Sequence, residues 1–159
     1  MKLENMYQEI ILDHYKRPHG KGLAEQFDAE VHHVNPTCGD EITLRVSRGA
    51  DGKIVVSYDN MGCSISQASA SIMFDQINNL DFESGEAAVE HLIAMLQRTV
   101  EADEDILGDG IALAGVAQYP ARVKCALLAW MAWKDAAIQA GADNNSESKI
   151  STESNKEQN

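Results

Sequence analysis

Apolar residues recur along this chain with two different periods, and the changes between them divide it into elements. Met6, Tyr7, Ile10, Ile11 and His14 fall at helical intervals, and Arg17-Pro18-His19-Gly20 ends the helix they predict. From Phe27 to Val34 the period becomes two: Phe27, Ala29, Val31 and His33 alternate with their neighbours as in a half-buried strand. Ile42, Leu44 and Val46 then alternate with Thr43, Arg45 and Ser47, and Asp51-Gly52 supplies turn chemistry before Ile54, Val56 and Tyr58. These runs predict an antiparallel meander of three strands, one face apolar for helices to cover and the other solvated.

The helical period returns after Gly62. Ile65, Ala68, Ile72 and Ile77 predict a helix rich in small residues, with Cys63 at its N-terminus; Ser69 and Ser71 read as room for close packing. A further helix is expected from near Ser84, with Val89, Leu92, Leu96 and Val100 on one face and His91 exposed. Asp103-Glu104-Asp105 reads as a solvated face or turn, with cation binding as the alternative. Gly108, Gly110 and Gly115 loosen the chain into a loop or short helical turns. Tyr119-Pro120 opens a last helix to about Gln139, with Val123, Leu127 and Trp130 on one face and Cys125 in its early turns.

The expected fold class is therefore α+β, a small three-stranded antiparallel sheet packed on one face by helices, in a single domain over 1–141. The polar segment 142–159 reads as a disordered tail. No apolar run reaches the roughly 18 residues of a membrane span, and no signal-peptide apolar region follows Met1, so a soluble cytoplasmic protein is expected. Net charge changes the picture further: the chain carries −12, mostly outside the tail, and lacks a clustered Lys and Arg footprint. That argues against a nucleic-acid partner, and a basic protein partner, or mere solubility, fits better.

The chemistry-bearing residues are few. Three cysteines cannot all pair within the chain, so reduced thiols or metal ligands are the better reading. Cys38 and Asp40 stand two residues apart in Asn35-Pro36-Thr37-Cys38-Gly39-Asp40, a turn between two strands. Cys63 and Cys125 each lie near a helix N-terminus, where free amides and the helix dipole favour thiolate. Three thiolates and one carboxylate suit a tetrahedral zinc. His32 and His33 are competing ligands, of which the strand lets one face the Cys38 turn. His14 and His19 read as surface or partner-facing. Arg122 and Lys124 flank Cys125 and either stabilise thiolates or are ordinary solvated bases.

Taken together, Asn35–Asp40, Gly62-Cys63-Ser64-Ile65-Ser66-Gln67-Ala68-Ser69 and Arg122-Val123-Lys124-Cys125-Ala126-Leu127-Leu128-Ala129-Trp130 resemble the iron-sulfur scaffold family of the IscU and NifU-N-terminal type. The opening Tyr7–Gly20 segment shares the resemblance, which covers roughly residues 5 to 140. Lys124 stands where the scaffold branch has histidine, and the stretch from Asp103 to Arg122 is similar to the extra segment of the SufU branch. The resemblance implies a zinc-dependent sulfurtransferase with Cys38, Asp40, Cys63 and Cys125 as zinc ligands and Cys38 as the catalytic thiol. It further implies a PLP-dependent cysteine desulfurase of the SufS type as sulfur donor, a histidine of that partner entering the zinc shell as Cys38 departs, and a downstream iron-sulfur assembly scaffold. The Cys38 turn and the segment from Arg122 to Cys125 are the expected docking surface. Two alternatives remain: an assembly scaffold carrying an iron-sulfur cluster or iron transiently, and a noncatalytic adaptor stabilised by zinc.

Overall fold

In the computed structural model, which describes residues 3–141, the first helix α1 (Leu3–Lys16) precedes the strands β1 (Ala29–Asn35), β2 (Asp40–Arg48) and β3 (Lys53–Met61). Then come α2 (Ser64–Ile77), β4 (Leu80–Asp81), α3 (Phe82–Leu96), the single turn α4 (Glu104–Leu107), a 3-10 segment (Gly108–Gln118) and α5 (Pro120–Gln139). The tail assigned to 142–159 lies outside the described residues.

The sheet has four strands in the order β1-β2-β3-β4, all neighbours antiparallel, rather than the three expected. Its fourth strand is two residues long, pairing Leu80 and Asp81 with Ile54 and Lys53. Two residues cannot display an alternation, so no period marks them. They are placed by the end of α2, where Asn78 Oδ1 accepts the Val56 amide and the Asn79 amide donates to the Ile54 carbonyl.

Alternation along the long strands puts Val31, Ile42, Leu44, Val46, Ile54, Val56 and Tyr58 on one face, where each is buried. α5 and α2 cover that face, and removing this apolar area from water is the main force holding layer to layer. Trp130 and Trp133 of α5 are fully buried between the sheet and the other helices, Trp133 stacking on Phe82 of α3. No helix among the described residues is long and apolar enough to cross a membrane.

Five side chains depart from the pattern-based reading. Val100 lies beyond the end of α3 and is exposed, because Arg98 at φ 65° turns the chain first. His91 is half-buried, and its Nε2 is buried without a hydrogen-bond partner among the described residues. Ser69 is more than a small residue: its hydroxyl donates to the Ala126 carbonyl and accepts from Trp130 Nε1, fastening α2 to α5. His14 is 2% exposed and hydrogen-bonds Ser71 of α2 and Asp109 of the 3-10 segment, so Ser71 also binds rather than merely fits.

Candidate metal centre

β1 ends at Asn35 and β2 begins at Asp40, which face each other in register, so the intervening turn is tied at its base. The amides of Cys38 and Gly39 both donate to the Asn35 carbonyl, at 3.2 and 2.9 Å, and Gly39 takes φ 72° to close the loop. Cys38 is thereby held half-exposed at the tip, while Asp40 points back into the protein, 1% exposed.

Sequence-distant residues complete the cluster. One ligand atom each of Cys38, Asp40 and Cys125 lie within 4.8 Å of one another. Cys125, on the second turn of α5, is fully buried. Cys63 falls outside that tight group but caps α2, and its amide donates to Asp40 Oδ1 at 2.9 Å. Its thiol is among the neighbours that push the Cys125 thiol up. His32 pairs instead with Thr43 and Glu41 on the open face of the sheet, and His33 with Asp135 of α5; neither histidine joins the cluster.

The electrostatics are those of sulfur removed from water. Burial pushes the Cys125 thiol well above the ordinary thiol range, and its hydrogen bonds with Asp40, Cys38 and Cys63 act in the same direction. Arg122 supplies the opposing charge: it hydrogen-bonds Cys125 and interacts with Cys63 and Cys38, which raises its own pKa. Lys124 is exposed. Asp103 hydrogen-bonds the Asp105 amide as the cap of α4, the turn role that accounts for the acidic cluster.

Two residues inside the quoted motifs carry more of the site than sequence reasoning assigned them. Asn35 is buried, and its Nδ2 reaches Asp40 Oδ2 at 3.5 Å and Cys125 Sγ at 3.8 Å. Gly62, at φ 148°, leaves the space that Asp40 occupies, because a Cβ there would collide with Asp40 Oδ1 and Ser66 Oγ. Asparagine before a turn and glycine before a cysteine are too common locally to disclose contacts made across the fold.

The donor set fits zinc. Soft sulfurs and one carboxylate converge, one carboxylate oxygen is fixed by the Cys63 amide, and Asn35 orients the other from outside. Val34, Met61 and Tyr119 are the most exposed large apolar residues among those described, at 55%, 58% and 61%. Val34 and Met61 flank Glu41 in one row across β1, β2 and β3. A groove of about 390 Å³ runs alongside, lined by Tyr7, Ile11, Ile65, Val116, Tyr119 and Arg122.

A sheet covered on one face by helices, with cysteines presented from a strand turn and two helix starts, defines a class, and comparison with known proteins identifies it. Residues 6–126 match the NifU-like N-terminal domain, and the chain belongs to that family. It is 42% identical over 132 residues to the zinc-dependent sulfurtransferase SufU of Bacillus subtilis, covering 82% of this chain and 88% of that one. It is 38% identical over 135 residues to the iron-sulfur cluster assembly scaffold protein IscU of Streptococcus pyogenes, covering 85% and 84%. Among solved structures it is similar to a putative iron-sulfur cluster assembly scaffold protein for the SUF system from Fervidobacterium islandicum, with TM-score 0.72, 35% identity, and coverage of 85% and 98%.

Proposed function

We propose that this chain is a zinc-dependent sulfurtransferase that accepts persulfide sulfur from a PLP-dependent cysteine desulfurase of the SufS type and passes it to an iron-sulfur assembly scaffold. Its zinc ligands are Cys38, Asp40, Cys63 and Cys125. The observation that carries the reading is the unequal burial of the thiols: Cys125 is sealed in the core, whereas Cys38 and Cys63 are both partly exposed, and of these two we assign the transfer to Cys38 because it stands at the tip of a turn. A purely structural site has no need for one sulfur within a partner's reach. The similarity to SufU supports the same assignment.

Zinc, when bound, keeps its cysteine sulfurs as thiolates at neutral pH, against the upward push that burial gives Cys125. The chain's own groups do the rest. Arg122 stabilises negative charge on sulfur beside the centre. The Asn35 amide and the Cys63 amide hold Asp40 in one orientation. Cys38 Sγ attacks the outer sulfur of the donor persulfide; a new S–S bond forms on Cys38, the donor's S–S bond breaks, and the desulfurase cysteine leaves as thiolate. No oxidant or reductant is consumed, because one persulfide replaces another. Tyr119, exposed at the start of α5 three residues before Arg122, offers an apolar contact beside this segment for the partner that must bring its own cysteine there.

The test is Cys38→Ser in a desulfurase assay. Alanine release from cysteine is expected to fall to the rate of the desulfurase alone, while circular dichroism stays native because Cys38 is half-exposed. Undiminished stimulation by the folded variant favours the adaptor reading. The identity to a protein named as a scaffold motivates the third reading, which requires iron and acid-labile sulfide on the purified chain.

A further inference from the structure

On the far half of α2, a second cluster of metal-binding side chains lies outside the thiol centre. One ligand atom each of His14, His19 and Asp75 lie within 4.8 Å of one another, and the two imidazole rings are 4.7 Å apart between centroids. Asp75 is twelve residues after Cys63, which places it about 18 Å along the helix at 1.5 Å per residue. The two clusters therefore cannot share an ion.

Hydrogen bonds at both nitrogens fix the orientation of the His14 ring. Its Nε2 is 2.9 Å from Asp109 Oδ2, and a carboxylate only accepts, so Nε2 carries the proton. Nδ1 lies 2.7 Å from Ser71 Oγ, and with the proton on Nε2 alone it accepts from that hydroxyl. The same Ser71 oxygen accepts the His19 amide at 2.8 Å, so Nδ1 faces the His19 loop. A buried imidazole held at one nitrogen by a carboxylate, with its other nitrogen facing a hydroxyl that an ion would displace, matches a metal-bound histidine with its outer partner.

His19 is also placed in advance. Its amide is held by Ser71 and its carbonyl by the Tyr58 hydroxyl at 2.7 Å, so its backbone is pinned while its ring stays half-exposed. Asp75 meets that ring at 2.6 Å. An ion bound at about 2.0–2.2 Å holds its ligand atoms roughly 3.5 Å apart, a gap that small rotations of the exposed His19 and Asp75 side chains close.

We propose that His14, His19 and Asp75 form a second site, for an exchangeable divalent first-row metal ion. Two imidazoles and one carboxylate suit zinc, cobalt, nickel or iron(II), with water filling the remaining positions. Such an ion would join the end of α1 to α2, independently of the thiolates and of the sulfur-transfer reading.

Cobalt(II) titration of the full chain, as purified under reducing anaerobic conditions, tests the site. The expected result is one equivalent bound with the weak visible bands of nitrogen and oxygen ligands and without intense near-ultraviolet thiolate-to-cobalt bands. His19→Gln and Asp75→Asn, both solvent-accessible substitutions, are each expected to weaken that equivalent about tenfold or more, and Cys38→Ser to leave it unchanged. The proposal is overturned if every bound cobalt shows thiolate bands, or if the nitrogen-and-oxygen equivalent is unaffected by both variants.

Discussion

At Gly62 the backbone and the site are the same problem. A side chain there would need φ 148°, a region L-residues rarely adopt, and would push into Asp40 Oδ1 and Ser66 Oγ. Asp40 is held from that side by the Cys63 amide. Gly62→Ala is therefore expected to destabilise the fold by about 1–3 kcal/mol and to weaken zinc retention, read by thermal denaturation and by metal content after dialysis against a mild chelator. Unchanged values for both would show that the loop shifts freely and that Asp40 is not held by it. The four proposed ligands are legible in the sequence because cysteine is rare, Cys38 and Cys63 lie at element boundaries next to glycine, and Asp40 stands two residues from Cys38. Asn35 and Gly62 are not, since their roles exist only once residues 5, 22 or 90 positions away have been folded against them. The same holds for His14, whose partners Ser71 and Asp109 are 57 and 95 residues away.

Between elements, the joint that matters most is α2 against α5, since these helices carry Cys63 and Cys125. Ser69 bridges them with both of its hydrogen-bonding roles, and Ser69, Trp130 and Ala126 are all fully buried. Replacing Ser69 with Ala strands the indole N–H away from water and removes the second bond to the Ala126 carbonyl, which keeps its helical partner. A cost of about 1–3 kcal/mol is expected, or a fall in Tm of roughly 3–10 °C for a domain of this size. A Tm within one degree of the parent would mean that water reaches the joint. Long elements were readable from period alone: α1, β1 to β3, α2 and α5 fall where their apolar spacing puts them. β4 and the position of Val100 were not, because one has two residues and the other depends on a left-handed turn at Arg98.

Over the whole molecule, the fold uses one face of a small sheet for its core and gathers three chain segments at one end of it to make the candidate metal centre. Metal binding and folding are consequently linked: the four proposed ligands come from the β1–β2 turn, the start of α2 and α5, and an ion that binds them together opposes their separation. Removing zinc with a strong chelator is expected to lower Tm, and restoring it to recover the loss; free ligand at a thousand times Kd corresponds to about 4 kcal/mol. A Tm indifferent to zinc would mean that the thiols do not act as a set. The acidity of the chain, −12 overall, leaves Arg122 as a locally significant cation beside the sulfurs rather than part of a basic surface.

The most direct test of the central claim is the stoichiometry of metal and persulfide on the anaerobically purified chain, before and after incubation with a cysteine desulfurase and cysteine. The account predicts about one tightly held zinc per chain and, after incubation, one added sulfur that peptide mass spectrometry maps to Cys38. Iron with acid-labile sulfide, or added sulfur found on Cys63 or Cys125 but not on Cys38, would contradict it.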